Sequence, residues 1–257
     1  MGYSSGTGFS CGLGEILNVL HLIDCMLFMR QCKDNAFDLA IVDVNYGINQ
    51  GGGTNHTRTK KFGSLKNNSK KTVIEAKDYK DYGDTKSPDK EYFIELMRIS
   101  RNQIIWGANH FISKIPFDSS CWFVWDKDNS GDFADCEIAW TSFKTAIRKF
   151  KYRWNGLLQE NMKNKEIRIH PNQKPVAIYK KLLSLYAKPG DTLLDTHSGS
   201  GSFRIAAHDM GFDLISCELD PDYCRDNESR YQNHTKQQEL FTPEEIQDKI
   251  YSQKPLV

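Results

Sequence analysis

A chain of 257 residues with 34 Lys+Arg against 33 Asp+Glu carries a formal net charge of +1, so only a local cluster of charge can point to a polyanionic partner. The length suits one α/β domain with a full core, or a domain plus a small insert. No apolar run nears the ~20 residues of a membrane helix. The N-terminus has no basic stretch followed by an apolar core, and Gly6 stands where a myristoylation signal would carry Ser or Thr. Seven cysteines, an odd number with no two-residue gap between any pair, read as reduced structural thiols. The expectation is a cytoplasmic protein with no membrane span and no metal site.

Residues 1–15 are Gly/Ser-rich and read as a flexible tail, because no strand precedes the glycine pair Gly6 and Gly8. A single domain is expected over 16–232. The run 16–24 reads as a buried strand, "CMLFMRQCKD" as a short helix and 37–43 as a second strand. Little apolar periodicity follows over 47–88. Within it, the acid-free span from Gly51 to Ile74 holds Arg58, Lys60, Lys61, Lys66, Lys70 and Lys71, which is either a solvated loop or a basic arm. "DKEYFIELMRIS" carries Tyr92, Leu96 and Ile99 on one helical face, and "NQIIWGA", "SCWFVWD" and "CEIAWTSF" read as strands. The stretch 144–154 interleaves Lys144, Arg148, Lys149, Lys151 and Arg153 with Phe150, Tyr152 and Trp154. It fits nucleic acid through phosphate contact and stacking, or a strand with aromatics inward and charges outward.

The second part of the chain, 168–232, is more regular. "PVAIYKKLLSLYA" (175–187) has Pro175 at its start and Pro189-Gly190 past its end, the marks of a helix. Strand, helix, strand and helix follow, and residues 233–257 read as a tail or further helix. Alternating strands and helices imply a mostly parallel, doubly wound sheet.

Residues 193–207, "LLDTHSGSGSFRIAA", read as strand, turn and helix. Asp195 ends the strand, and Gly199, Ser200 and Gly201 let the backbone turn tightly against a ligand. About twenty residues on, Glu218 ends the next strand, where a carboxylate can bind the hydroxyls of a ribose. The turn falls short of G-x-G-x-x-G, and Asp195 would oppose a pyrophosphate. An adenosine cofactor with a cationic end, such as S-adenosyl-L-methionine, suits these residues better than a dinucleotide.

The segment "RIHPNQKPVAIYKKLLSLYAKPGDTLLDTHSGSGS" (168–202) resembles the DNA amino-methyltransferases that modify N6 of adenine or N4 of cytosine. Their cofactor half reads H-P-T-Q-K-P, a helix, then P-G-D-x-V-L-D-x-F-x-G-S-G; Asn172 replaces Thr here and His197 replaces Phe. Their catalytic D-P-P-Y is matched by Asp43, Val44, Asn45 and Tyr46. The catalytic motif precedes the cofactor motif, as in the circularly permuted β class. The resemblance spans roughly residues 18 to 231 and implies a Rossmann-like, seven-stranded sheet with a basic loop insertion.

It also implies a cofactor set of Asp24, Cys25, His170, Asn172, Lys174, Asp195, His197, Gly199, Ser200, Gly201 and Glu218, around S-adenosyl-L-methionine. Asp24 reads equally as a helix N-cap, and the two roles are compatible. In the family the Asp carboxylate and the next backbone carbonyl accept the two protons of the exocyclic amine, while the aromatic ring stacks on the flipped base. Asp43, the Val44 carbonyl and Tyr46 would fill those roles. Replacing both prolines removes rigidity, which leaves open a catalytically weak or inactive relative that binds nucleic acid or cofactor. Asp in the first position favours adenine N6 over cytosine N4.

Double-stranded DNA is the implied partner, with Arg58, Lys60, Lys61, Lys149, Lys151 and Arg153 as phosphate contacts. A homodimer is left open. Gln237 to Phe241, "QQELF", resembles a sliding-clamp-binding peptide, a pattern short enough to recur by chance.

Overall fold

The computed structural model describes residues 17–49, 84–128, 134–155 and 158–236. The chain opens with β1 (Asn18–Leu22), α1 (Cys25–Gln31) and β2 (Phe37–Val42). Helix α2 (Lys90–Ile99) and β3 (Ser100–Trp106) follow. Then come β4 (Trp122–Asp126), β5 (Cys136–Thr141) and β6 (Arg148–Lys151). A two-stranded ribbon of β7 (Trp154–Asn155) and β8 (Leu158–Gln159) leads to α3 (Val176–Tyr186). The last elements are β9 (Thr192–Asp195), α4 (Ser202–Asp209), β10 (Asp213–Glu218) and α5 (Pro221–Thr235).

The main sheet runs β1-β10-β9-β2-β3-β5-β4-β6. Among the described residues it has eight strands against the seven expected. The basic, aromatic stretch supplies β6, which pairs parallel to β4 and forms an edge of the sheet. Strands β1, β10, β9, β2 and β3 are mutually parallel, and only β5 runs antiparallel to its neighbours β3 and β4. The strand containing His21 lies beside the Glu218 strand although almost the whole chain separates them.

Two apolar layers hold the sheet. On one side α3 turns Ile178, Tyr179, Leu182 and Leu183 inward, with Phe203, Ala206 and Ala207 of α4, against Leu39, Ile104 and Leu193. On the other, α2 buries Tyr92, Phe93, Leu96 and Ile99 with Met29 of α1, against Ala40, Val42 and Ile105. Because both faces are covered, β2 reads as a nearly continuous apolar run rather than an alternating one. No helix among the described residues is long and apolar enough to cross a membrane.

The order of connection reverses between β9 and β2: from β9 the chain steps to β10, and from β2 to β3. In open α/β sheets a crevice forms outside the carboxyl ends of the strands at such a reversal. Asp24, Asp43, Thr196 and Glu218 all stand at or just past those ends.

Candidate active site

A cavity of about 550 Å³ opens at this reversal. Asp24, Cys25, Asp43, Val44, Asn45, His170, Asn172, Lys174, His197, Gly199, Ser200 and Glu218 line it, so most of the residues singled out in the sequence meet in one place. Asp195, Gly201 and Tyr46 do not line it; the first two lie beneath the wall and shape it, and Tyr46 packs beside it.

The wall on the β9 side is a backbone construction. Buried Asp195 accepts the His197 N–H at 3.1 Å, which bends the chain as it leaves the strand. Burial pushes the Asp195 carboxyl up to about 8. Gly199 and Gly201 take φ of 48° and 73°, in the region that favours glycine. A Cβ on Gly201 would lie 2.4 Å from Asn227 Oδ1. Fully buried Asn227 reaches in from α5 to donate to Ser198 Oγ at 2.8 Å and the Gly199 carbonyl at 3.2 Å. Arg230, one turn on, donates to the Ser200 carbonyl at 2.8 Å and pairs with Glu166 at 2.7 Å. Glu218 accepts the Gly199 N–H at 2.8 Å and the Leu219 and Asp220 N–H groups at 3.0 Å. Its oxygens thus fix the turn while its carboxylate faces the cavity.

Asp24 is the anticipated helix N-cap and stands in the cavity wall. Its carboxylate caps α1, accepting from the Met26 and Leu27 N–H groups at 2.9 and 3.0 Å, and it also lines the cavity. Burial holds His170 and His197 down at about 4, so both imidazoles are neutral near pH 7. Lys174 is the cationic side chain among the lining residues, against the carboxylates of Asp24, Asp43, Glu218 and Asp220 in the same lining. An anionic wall of this kind repels a pyrophosphate and suits a ligand bearing positive charge. The size is that of a cofactor pocket, and the donor set fits S-adenosyl-L-methionine.

The β2 side is built from side chains. Val44 is buried in the apolar layer with Val42 and Ala108. Tyr46 stacks on exposed His110 with ring centroids 5.1 Å apart, and its ring occupies the space a Cβ on Gly107 would fill. Gly47, at φ 73°, donates its N–H to buried Asp84 at 2.7 Å and closes the segment. Both oxygens of Asp43 are occupied: Oδ1 accepts from the Tyr46 hydroxyl at 2.9 Å, and Oδ2 receives the Lys174 ammonium at 2.6 Å.

Lys174, expected beside the cofactor, does line the cavity. Its ammonium, however, lies in a charge cluster with Asp43 and Glu137, 3.2 Å from the latter, and 5.0 Å from the Trp106 ring centroid. Burial lowers its affinity for the proton, but the two carboxylates outweigh burial and it stays charged. Burial raises the Asp43 carboxyl, Lys174 lowers it and Glu137 raises it again; the balance lies above the ordinary carboxylate value.

Among the basic residues expected at DNA, Lys149 pairs with Asp126 at 2.7 Å, and Lys151 and Arg153 pair with Asp128. Phe150 of β6 and Tyr152 just past it pack against the core, while Arg148, Lys149 and Lys151 are exposed. Arg58, Lys60, Lys61 and the Gln237–Phe241 stretch lie outside the described residues. Asn227, Arg230, Glu137, His110 and Gln173 are site or supporting residues that the sequence did not reveal. The first four act through contacts with other elements of the fold; the H-P-N-Q-K-P run hinted at Gln173 alone, whose carbonyl and side chain brace the loop before α3.

The family model of the N6/N4 methyltransferases, described as DNA methylase, matches residues 24–229. The chain belongs to this family of DNA methylases. Its fold is shared by the protein TTHA0409 of Thermus thermophilus, at 16% identity and a TM-score of 0.52 over 86% of this chain and 97% of that one. The same protein complexed with S-adenosyl-L-methionine gives 15% identity and 0.51, over 86% and 95%. The PvuII DNA methyltransferase, cytosine-N4-specific, gives 11% identity and 0.51, over 91% and 90%.

Proposed function

We propose that this DNA methylase transfers a methyl group to N6 of adenine in double-stranded DNA. The observation that carries the reading is the Asp43 carboxylate, held at the end of β2 on the wall of the cofactor cavity. Bound S-adenosyl-L-methionine supplies the electrophilic methyl group; the chain supplies position and hydrogen-bond acceptors. An exocyclic amine is a poor nucleophile because its lone pair is delocalised into the ring. Acceptors aimed at its two protons favour a tetrahedral nitrogen whose lone pair can attack. Asp43 and the Val44 carbonyl are those acceptors in this reading.

Tyr46 offers the stacking surface for the extruded base, which would displace His110 from its ring. Rigidity that two prolines would give is replaced by buried Val44, by the seat of Tyr46 on Gly107 and by the Gly47–Asp84 hydrogen bond. This favours an active enzyme over an inactive relative. The wall of carboxylates supports the same methyl donor that TTHA0409 binds. Asp at the first motif position supports adenine over cytosine.

Incubating the protein with tritiated S-adenosyl-L-methionine and unmethylated DNA, then digesting the DNA to nucleosides, tests the reading. Label in the N6-methylated adenine nucleoside is expected. Label in the N4-methylated cytosine nucleoside would replace the base assignment, and no label in any DNA would overturn the function.

A further inference from the structure

Glu137 lies on β5, outside the cavity lining, yet cations hold its carboxylate from two sides. Lys127, at the end of β4, pairs with Oε1, and Lys174 with Oε2 at 3.2 Å. Lys174 is 4% exposed and is therefore shared between two carboxylates, Glu137 and Asp43. The arrangement poses a problem for the reaction. A target amino group needs an Asp43 oxygen as acceptor, and both already receive a donor, from Tyr46 and from Lys174. Tyr46 can keep donating to Oδ1 while an amino group takes Oδ2. A buried ammonium cannot leave its carboxylate unless another is at hand, because an unpaired buried charge is strongly unfavourable.

We infer that Glu137 is a positioning residue for methyl transfer: it takes up the Lys174 ammonium as the target amino group takes Asp43 Oδ2. The inference rests on the methyltransferase reading above. Only hydrogen bonds exchange; no covalent bond of Glu137, Lys174 or Lys127 changes. Lys127 keeps Glu137 from swinging toward solvent, and the Trp106 face limits the path of Lys174 to the space between the two carboxylates. The charges on Lys174 and Lys127 outweigh burial and hold the Glu137 carboxyl down at about 2, so it is an ionised acceptor at any working pH.

The same geometry sets the pH dependence. Asp43 faces Tyr46 from its own segment, Lys174 and Tyr179 from the loop before α3 and from α3, Glu137 from β5 and Asp195 from β9. Ionised, it is the stronger acceptor and carries no O–H to compete with the N–H, so turnover falls as pH falls through its pKa. Removing the negative charge of Glu137 lowers that pKa, and the acid limb of the kcat profile moves to lower pH.

Glu137→Gln in the full-length protein keeps the shape and removes the charge. The expected result is kcat reduced ~10–100-fold by a misplaced Lys174, an acid limb moved to lower pH, and unchanged calorimetric affinity for S-adenosyl-L-methionine. Glu137→Asp, which keeps the charge, should return the acid limb to the wild-type position and recover part of kcat. If Glu137→Gln does not fold, Lys127→Met gives the parallel test, with reduced kcat and unchanged cofactor affinity. A wild-type kcat and acid limb in the folded variant would overturn the inference while leaving the function standing. So would a fall in kcat with an unmoved acid limb. A wild-type protein that methylates no DNA removes both.

Discussion

The glycine turn and the Asp43–Tyr46 segment stand on the ends of neighbouring strands, yet they are held by different forces. The turn is fixed by backbone conformation and by hydrogen bonds to its backbone and hydroxyl groups from Asn227, Arg230, Asp195 and Glu218. The Asp43–Tyr46 segment is anchored at its ends by packing, but at its centre side-chain donors compete for one carboxylate. The difference follows from the tasks. A cofactor is bound in one pose, whereas an acceptor for a target base has to be stabilised when empty and released when the base arrives.

Removing the central cation should break the charge-held region most severely. Lys174→Met leaves Asp43 and Glu137 facing each other below the surface, and should cost ~3–5 kcal/mol in urea unfolding. A cost near zero would mean that the carboxylates relax into water and that the cluster is not a unit. Gly201→Val should break the other region: an L residue at φ 73° costs ~1–3 kcal/mol, and the Asn227 amide must move. Calorimetry should then show loss of S-adenosyl-L-methionine binding; retained binding would deny the turn its role. Asn227→Ala sharpens the contrast, because it removes the brace without adding a clash. It should destabilise by ~1–3 kcal/mol and weaken cofactor affinity while kcat at saturating cofactor is largely kept. Tyr46→Phe should have the smallest effect, ~0.5–1.5 kcal/mol from one hydrogen bond, with the His110 stack and cofactor affinity intact. An affinity change there would show that the two regions are coupled through Asp43.

Legibility in the sequence follows the same division. Strand-end acids and the glycine turn are readable because each depends on neighbours within a few residues: an apolar run stopping at Asp43, a G-S-G turn after Asp195, Glu218 one unit later. The expected helices and strands appear near their predicted places for the same reason. What cannot be read is pairing across the chain. Asp43 and Lys174 are 131 residues apart, and the β5 carboxylate that completes their cluster belongs to a strand whose apolar pattern gives no hint of it. The H-P-N-Q-K-P run assigns Lys174 to the cofactor, but adjacency in a motif does not report where a long side chain points. The eighth strand stays one of two alternatives in the sequence because edge strand and nucleic-acid contact share one pattern of alternating charge and aromatic ring; the Asp126 and Asp128 that balance β6 are near in space only.

In the proposed reaction Asp43 serves the target amino group and not the cofactor. Asp43→Ala tests it most directly, because Lys174 keeps Glu137 as a partner and the variant should fold. Methyl transfer to unmethylated DNA and calorimetric binding of S-adenosyl-L-methionine are measured on the same preparation. Transfer should be abolished and binding unchanged. Methyl transfer persisting in Asp43→Ala, or cofactor binding lost along with it, would deny Asp43 this role.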